Sequence, residues 1–322
     1  MRAAWIETCG RPPVVADRPA PVPGPGTEVV RVSAAPITPL DLLCAGGTSY
    51  FGMPAVPYVP GVQGVGTAGG TPVWFATTAG MAPGDGSMAE LALVRDEDLV
   101  KLPAGASPIA VAALGLSAVA AYLALTWRGE LVAGEQVLVL GGGGVVGQAA
   151  IQLARLNGAR RVVAGARSPG GRERATRAGA DAVVSLGTDR GTEDVAELAA
   201  RFSAACDGPV DLVLDPLFGV PAAAAARTLG KGGRLVNLGG SASETCPLDS
   251  ATLRSRSLRV LGYTNNELTL EQRAAAITMI AEQAALGRLT VAHEVVPLEA
   301  AGEAWQRQAA GTAGGRIVLS IA

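Results

Sequence analysis

Residues 137 to 154 decide the fold: Val137-Leu-Val-Leu-Gly141-Gly-Gly-Gly144-Val-Val-Gly147-Gln-Ala-Ala-Ile-Gln-Leu-Ala154. They read as a buried strand, a glycine-rich turn and an apolar helix, the opening of a βαβ unit. The pattern G-x-G-x-x-G falls on Gly142, Gly144 and Gly147, preceded by Gly141. Such glycines turn the chain tightly, admit a pyrophosphate and let the helix pack on the strand. The stretch predicts a dinucleotide site at the helix N-terminus, although a chance match is the alternative in so glycine-rich a chain.

The segments around this stretch predict two kinds of sheet. On its C-terminal side, strand-like runs at 161–166, 182–185, 210–214, 234–238 and 258–261 alternate with helix-like segments, which favours a doubly wound parallel sheet. On its N-terminal side, short β-type runs at 28–32, 73–76 and 89–94 are separated by Pro/Gly clusters and predict an antiparallel, barrel-like domain. The tail, with a predicted final strand at 316–321, is expected to return to that first domain. The predicted fold class is therefore α/β, with domains 1–124, 125–263 and 264–322.

The residues after the second strand of the βαβ unit predict the choice of cofactor. The chain reads Gly165-Ala166-Arg167-Ser168-Pro169-Gly170-Gly171-Arg172, and no acid occurs before Glu173. An acid in this region would accept the ribose hydroxyls of NAD, whereas cationic and hydroxyl side chains receive the 2'-phosphate of NADP. Arg167, Ser168 and Arg172 therefore favour NADPH. The alternative is that these arginines are solvent-exposed residues of a loop and bind no ligand.

Composition excludes some classes of partner. The formal net charge is -2 and no window concentrates Lys and Arg without Gly or acids, so no nucleic acid is expected as a partner. The 4 cysteines are far apart, and the N-terminus does not resemble a signal peptide, so we expect reduced thiols and a cytoplasmic protein. Residues 102–127 carry no charge and are long enough to span a bilayer. Because Pro and Gly interrupt them and Ala dominates, we expect a buried helix and no membrane association.

Spaced motifs along nearly the entire chain resemble those of one family, the zinc-independent quinone oxidoreductases of the zeta-crystallin type, in the medium-chain dehydrogenase/reductase superfamily. The matching segments are 35–41 (APITPLD), 57–66 (PYVPGVQGVG), 86–90 (GSMAE), the glycine stretch, 178–181 (AGAD), Asp215-Pro216 and 315–319 (GRIVL). The resemblance implies a GroES-like, mostly-β substrate domain, a Rossmann domain that binds NADPH, and a homodimer joined through the Rossmann sheet.

The resemblance also implies that no metal takes part. Zinc-dependent relatives carry Gly-His-Glu where this chain has Gly61-Val62-Gln63, and Val62 cannot bind a metal. The only histidine, His293, lies near the C-terminus, and a zinc site needs three or four N, S or carboxylate ligands. We expect His293 to be structural and the catalytic zinc to be absent.

Candidate site residues follow from the same resemblance. Thr38 occupies the position of an asparagine near the nicotinamide, and Tyr50 occupies the position of a tyrosine there. The alternative for Tyr50 is that it forms an aromatic wall of the site or belongs to the core. The lysine that relatives place after the second Rossmann strand is Gly171 here, so phosphate recognition must shift to Arg167 or Arg172, while Arg316 replaces a lysine of the final strand. The candidate cofactor-binding residues are Gly141, Gly142, Gly144, Val145, Val146, Gly147, Arg167, Ser168, Arg172, Leu238, Gly239 and Arg316.

Without a metal, the expected reaction is hydride transfer from NADPH to an activated small molecule, either a quinone or the C=C bond of an α,β-unsaturated carbonyl. Two alternatives stay open. One is a non-catalytic NADPH-binding scaffold protein of the same fold, because fold does not fix function. The other is a metal-free alcohol or aldehyde reductase, which would need a strong proton donor.

Overall fold

The computed structural model describes residues 1–187 and 193–321, and the chain divides into two compact units. Unit 1 comprises Met1–Gly115, Thr269–Gly287 and Val291–Ala322. Unit 2 comprises Leu116–Leu268 and Arg288–Thr290.

Strands and helices are numbered separately in chain order. The strands are β1 (Arg2–Trp5), β2 (Val14–Asp17), β3 (Thr27–Pro36), β4 (Gln63–Ala68), β5 (Thr71–Ala76), β6 (Leu91–Arg95), β7 (Leu99–Lys101), β8 (Gln136–Leu140), β9 (Arg161–Ala166), β10 (Ala182–Ser185), β11 (Val210–Asp215), β12 (Leu229–Asn237), β13 (Arg259–Gly262), β14 (His293–Pro297) and β15 (Arg316–Ser320). The helices are α1 (Pro39–Ala45), α2 (Pro108–Leu123), α3 (Val145–Leu156), α4 (Pro169–Arg177), α5 (Val195–Ala205), α6 (Gly219–Ala226), α7 (Ser250–Ser255), α8 (Leu270–Ala285) and α9 (Ala301–Ala309). A π-helical turn, Ala124–Arg128, continues α2.

Unit 2 is built on a parallel sheet of six strands in the order β10-β9-β8-β11-β12-β13. All residues of β8 are buried, which is why the four residues after Gln136 are apolar without alternation. The strand order runs outward in both directions from β8 and β11, and open α/β sheets bind ligands at the carboxyl ends of the strands beside such a point. The predicted doubly wound sheet is confirmed.

Unit 1 is mostly β, as predicted. A sheet of seven strands has the path β14-β15-β3-β4-β5-β7, with β6 paired to β3, and β1 and β2 form a separate antiparallel pair. Every pairing in the larger sheet is antiparallel except that of β14 with β15. Its core includes the fully buried side chains of Ile6, Ile37, Phe75 and Met88.

The two ends of the chain meet in this sheet. β15 pairs antiparallel with β3, so that Val318 lies opposite Pro36. The residue after β3, Ile37, donates its backbone N–H to the carbonyl oxygen of Ile317 at 2.9 Å. The last strand is therefore a central member of the sheet that the N-terminal segment begins.

The unit boundaries differ from the predicted ones. The first falls between Gly115 and Leu116 rather than after residue 124, and the second between Leu268 and Thr269 rather than after residue 263. Gly115 interrupts α2 with φ 35° and ψ -136°. A Cβ on Gly115 would lie 2.1 Å from Oε1 of Gln63, a buried residue of unit 1. This contact holds the first half of α2 in unit 1.

The apolar segment predicted to be a buried helix is helical. Pro108–Arg128 is, within the described parts of the chain, the one helix long and apolar enough to cross a membrane, and 67% of its most apolar window is buried inside the protein. Such burial is typical of the core helix of a globular protein.

Candidate functional site

The glycine loop, residues 141–144, connects β8 to α3 in unit 2. Gly141 has a φ of +66°, which glycine adopts without strain. A Cβ on Gly147 would lie 2.2 Å from the carbonyl oxygen of Gly141, and a Cβ on Gly142 would lie 2.8 Å from the Cβ of Ala164 in β9. The missing side chains therefore let α3 and β9 pack directly on the backbone of the loop.

A second close approach joins the glycine loop to α4. A Cβ on Gly143 would lie 2.4 Å from the Cα atom of Gly171 and 2.7 Å from its carbonyl oxygen. The G-x-G-x-x-G pattern leaves Gly143 unconstrained, so motif spacing does not predict this contact. Gly143 therefore has a structural reason to be glycine, whereas a Cβ on Gly171 would lie 3.7 Å from the Cα atom of Gly143 and 3.0 Å from Oγ of Ser168.

Two side chains hold the carbonyl group of Gly143. Gln148 in α3 donates its Nε2–H to this oxygen at 3.0 Å, and Arg174 in α4 donates its Nε–H to the same oxygen at 2.9 Å. Gln148 is buried and Arg174 is half-buried. Both carbonyl lone pairs are therefore used within the protein, and the plane of the following peptide group is fixed.

The N-terminus of α3 can receive an anion. Its N-cap residue, Gly144, provides no side-chain oxygen. The first N–H groups of a helix lack intrahelical acceptors, and the helix dipole favours negative charge there. Gly144 is exposed, and Val145 and Val146 are half-buried. These residues fit the role predicted for them, the binding of a pyrophosphate.

A groove of about 460 Å³ opens beside the loop. Gly144 lines it together with Arg167 and Ser168, which follow β9, and with Leu217 and Ala242, which follow β11 and β12. All of these residues belong to unit 2. The groove therefore lies at the carboxyl ends of the strands, where a doubly wound sheet binds its ligand.

Two of the predicted phosphate ligands lie in this groove. Arg167 and Ser168 are both exposed. Ser168 is the N-cap residue of α4, and its Oγ accepts the backbone N–H of Gly171 at 3.0 Å. Its hydroxyl proton is not used by that bond, so Ser168 can still donate a hydrogen bond to an anion.

Seven of the predicted cofactor-binding residues of unit 2 are not among those that line the groove in the described parts of the chain: Gly142, Val145, Val146, Gly147, Arg172, Leu238 and Gly239. Arg172 donates its Nη1–H to the carbonyl oxygen of Arg167 at 2.7 Å and to Oγ of Ser185 at 3.1 Å. It therefore supports the loop that carries Arg167. Leu238 and Gly239 follow β12, and Leu238 donates its backbone N–H to the carbonyl oxygen of Asp215 at 2.9 Å.

Asp215 shapes the far wall of the groove, a role that motif reasoning missed. This fully buried carboxylate accepts the backbone N–H groups of Leu217 at 2.9 Å and Phe218 at 2.8 Å, and the side-chain amide of Asn237 at 3.0 Å. Burial raises the pKa of Asp215 above its ordinary value, while these three hydrogen bonds lower it. Phe218 has a φ of 60°. The carboxylate therefore stabilises a strained turn that presents Leu217 to the groove.

In unit 1, Thr38 is committed to the start of α1. It is buried, its Oγ1 donates to Oδ2 of Asp41 at 2.6 Å, and its backbone N–H donates to the same oxygen at 2.8 Å. Asp41 in turn accepts the backbone N–H of Val62 at 2.9 Å through Oδ1. Because its proton goes to Asp41, the Thr38 hydroxyl can act toward a ligand only as an acceptor.

Tyr50 lies beyond the other end of α1. Its side chain is 80% exposed, and its ring lies 4.5 Å from that of Phe51, measured between centroids. Other large apolar side chains in the same region, Leu43, Met53 and Val56, are also exposed. The structure thus places Tyr50 on an apolar surface and not in the core of unit 1.

Arg316, which was predicted to bind the cofactor, is buried in unit 1. Its Nη1 donates to the carbonyl oxygen of Ile37 at 2.9 Å. Burial lowers the pKa of Arg316 to about 10, against the opposing effect of the Asp41 carboxylate. The guanidinium therefore joins β15 to the segment that leads into α1.

The residues at the position of a zinc ligand have structural contacts. Val62 is buried, and Gln63 accepts the indole N–H of Trp74 at 3.1 Å. In residues 1–187 and 193–321, no group of three or more His, Cys, Asp or Glu side chains could hold a metal ion. His293 is exposed on β14, with Nδ1 2.9 Å from the carbonyl oxygen of Val291.

Comparison with known sequences finds quinone oxidoreductases among the relatives of this chain. The family described as "Zinc-binding dehydrogenase" matches residues 145–282, a segment that excludes Val62 and Gln63. The quinone oxidoreductase of Lama guanicoe is 28% identical over 317 residues, covering 91% of this chain and 93% of the relative.

Comparison with solved structures also finds quinone oxidoreductases. The quinone oxidoreductase of Thermus thermophilus, whose structures include a complex with NADPH, is 30% identical with a TM-score of 0.79, and both chains are covered in full (100%). A mycobacterial quinone oxidoreductase has a TM-score of 0.86 and covers 99% of each chain at 23% identity, which shows the shared fold.

The packing of Gly147 against the loop yields a stability prediction. Gly147→Ala should lower the free energy of unfolding by about 1 to 3 kcal/mol, because its Cβ has no space beside the Gly141 carbonyl oxygen. Urea denaturation followed by circular dichroism measures this change.

Gly170→Ala is the matched control, since Gly170 also lies in the first turn of a helix, α4. Its nearest neighbour would be the flexible end of Arg174 at 3.6 Å. This variant should be as stable as the native protein or gain up to about 1 kcal/mol from helix propensity. Equal effects of the two substitutions would show that α3 moves freely away from the loop.

Proposed function

Because the chain belongs to the quinone oxidoreductase branch of the medium-chain dehydrogenase/reductase superfamily, we propose that it is a zinc-independent, NADPH-dependent oxidoreductase that reduces a quinone or an α,β-unsaturated carbonyl compound. The observation that carries this proposal is the groove of unit 2, where the glycine loop adjoins a cation and a hydroxyl group after β9. Quinones and enones share a carbonyl group conjugated to the carbon that accepts hydride. One panel of both substrate types, with NADPH oxidation and product mass measured, tests the proposal.

The groove fits NADPH in its backbone and its charge. Gly144, Val145 and Val146 would hold the pyrophosphate at the N-terminus of α3. Arg167 and Ser168 would receive the 2'-phosphate, where an acid would repel it. Bound there, NADPH supplies the hydride for the reduction.

The proposed roles of Thr38 and Tyr50 differ because the Thr38 hydroxyl already donates its proton to Asp41, whereas the Tyr50 hydroxyl belongs to an exposed side chain. The Thr38 proton is bonded to Asp41, so Thr38 would accept a hydrogen bond from a ribose or substrate hydroxyl. The exposed phenol of Tyr50 would donate to the carbonyl oxygen on which enolate charge develops. Transition-state stabilisation is therefore assigned to Tyr50, and cofactor or substrate orientation to Thr38.

Zinc independence is supported by the residues that replace the ligands. Val62 has no donor atom, and the Gln63 oxygen already accepts the Trp74 indole N–H. Without a metal to polarise the carbonyl group, the substrate must be electrophilic through conjugation. This requirement favours quinones and enones over simple ketones or aldehydes.

A homodimer and a cytoplasmic location complete the proposal. β13 is an edge strand of the parallel sheet, and Val260 on it is 42% exposed. Pairing with β13 of a second copy would cover this edge and extend the sheet. The cysteines of the chain are unbridged thiols, which suits a reducing compartment.

The first functional prediction concerns cofactor choice. Arg167→Ala should weaken NADPH binding by about 1 to 3 kcal/mol through loss of a charged hydrogen bond, while NADH binding is nearly unchanged. Fluorescence titration of both cofactors measures this. An equal loss for both, or tighter binding of NADH by the native protein, would contradict the 2'-phosphate role.

The second functional prediction concerns metals. Treatment with EDTA should leave the rate of NADPH oxidation unchanged, and elemental analysis should find no stoichiometric zinc, because the side chain of Val62 has no donor atom and the described residues contain no group of three or more His, Cys, Asp or Glu side chains that could hold a metal ion. Stoichiometric zinc whose removal abolishes turnover would overturn zinc independence.

The third functional prediction concerns the chemical step. Tyr50→Phe should lower the rate of hydride transfer about ten- to a thousand-fold, or roughly 1.4 to 4 kcal/mol of transition-state stabilisation, with little change in NADPH affinity. Single-turnover kinetics are needed, because product release can hide a slower chemical step. A native rate in Tyr50→Phe, with loss only in Tyr50→Ala, would mean that the ring shapes the site and the hydroxyl does nothing.

A further inference from the structure

Arg174 differs from the other arginines of α4 in how its charge is used. Arg172 donates to the carbonyl oxygen of Arg167 and to Ser185, and Arg177 forms an ion pair with Glu173. Arg174 uses only Nε, which donates to the carbonyl oxygen of Gly143. Within residues 1–187 and 193–321, its Nη groups have no hydrogen-bond acceptor and no carboxylate partner.

Arg174 is also one of the residues that line the groove. Arg174 contributes to the wall that also contains Arg167 and Ser168. Ser168, Gly171 and Arg174 are spaced three residues apart on α4 and its N-cap, so they lie on one face of the helix. Because the guanidinium is planar and rigid, the bond from Nε to Gly143 also fixes the direction of the Nη groups.

The negative charge of a 2'-phosphate is larger than the positive charge of one arginine. A phosphate monoester carries roughly -1.5 to -2 charges at pH 7, whereas Arg167 supplies a single positive charge. The nearby acid of the groove, Glu193, is neutralised by an ion pair with Arg201 and accepts the backbone N–H of Gly187 at 3.0 Å. Arg174 is therefore a cation of the groove wall whose charge no carboxylate among the described residues neutralises.

We propose that Arg174 is a specificity-determining residue of the cofactor site, whose Nη groups bind the 2'-phosphate together with Arg167 while its Nε positions the glycine loop. The proposal rests on the proposed use of NADPH. It moves phosphate recognition one helical turn along α4 from Gly171. The absence of a side chain at Gly143 allows its close approach to Gly171, and this approach brings the Gly143 carbonyl within reach of Arg174.

Two substitutions separate the two roles of Arg174. In Arg174→Gln, the amide nitrogen is as many bonds from the backbone as Nε of arginine, so the bond to Gly143 can persist while the charge and the Nη groups are lost. In Arg174→Met, a chain of similar length lacks both the donor and the charge. Arg177→Gln, which removes an exposed arginine of the same helix, is the matched control.

The probes are 2',5'-ADP and 5'-AMP, which differ in the 2'-phosphate, with affinity measured by isothermal titration calorimetry. Arg174→Gln should bind 2',5'-ADP about 10- to 100-fold more weakly, the scale of a charged hydrogen bond, and 5'-AMP within about twofold of the native protein. Arg174→Met should show the same loss and should also bind 5'-AMP more weakly. Arg177→Gln should bind both as the native protein does, and melting temperatures verify that all variants fold.

The outcomes distinguish this proposal from the one it rests on. Native affinity for 2',5'-ADP in Arg174→Gln would overturn the phosphate role of Arg174 while leaving NADPH dependence intact. Equal losses for both probes in Arg174→Gln would also overturn it, since only the loop would then be affected. A native protein that binds 5'-AMP and 2',5'-ADP equally would refute NADPH preference itself, and the role of Arg174 with it.

Discussion

The distance between backbones at the glycine loop is the constraint on which the cofactor site depends. Gly147 lets α3 pack against the carbonyl group of Gly141, and Gly143 lets α4 approach through Gly171. Side chains at these points would separate the helices from the carboxyl ends of β8 and β9. The N-terminus of α3 would then leave the groove, and Arg174 could no longer reach the Gly143 carbonyl. Anion binding and cofactor selection therefore have the same structural origin, the absence of Cβ atoms.

In unit 1, the buried carboxylate of Asp41 joins neighbouring segments of the chain. Asp41 accepts both the N–H and the O–H of Thr38, as well as the N–H of Val62, and lies near the buried guanidinium of Arg316. Burial raises the pKa of Asp41, and its hydrogen bonds and the charge of Arg316 oppose that rise. An isolated buried charge would be costly, so this cluster joins the end of β3, α1 and β15 through compensated polar groups. Two residues with family-based roles toward ligands, Thr38 and Arg316, thus also have structural roles.

Local patterns predicted the elements, and non-local contacts account for what they missed. β8, β9 and α3 have the bounds expected from their apolar runs, because periodicity and the glycine turn act over neighbouring residues. The glycines at 115 and 143 are explained by their close approach to Gln63 and Gly171, which spacing within a motif does not reveal. Sequence position likewise cannot tell which arginine of α4 faces the groove. Helical spacing does not separate them, because Arg172 lies four residues after Ser168 and Arg174 three residues after Gly171, and both spacings place side chains on one helix face.

Two replacements relative to the family have different consequences. Gly171 replaces a lysine in unit 2, and Thr38 replaces an asparagine in unit 1. A phosphate can be bound by any cation held at the correct distance, so its recognition can move along α4 without changing the fold. A developing oxyanion must be met by a donor at one point, and Thr38, whose proton is bonded to Asp41, cannot provide that donor. The Asn-to-Thr change therefore removes a donor from the proposed site without supplying another. The donor role proposed for Tyr50 therefore has no substitute in the segment that carries Thr38, whereas the proposed recognition of the 2'-phosphate is shared between Arg167 and Arg174.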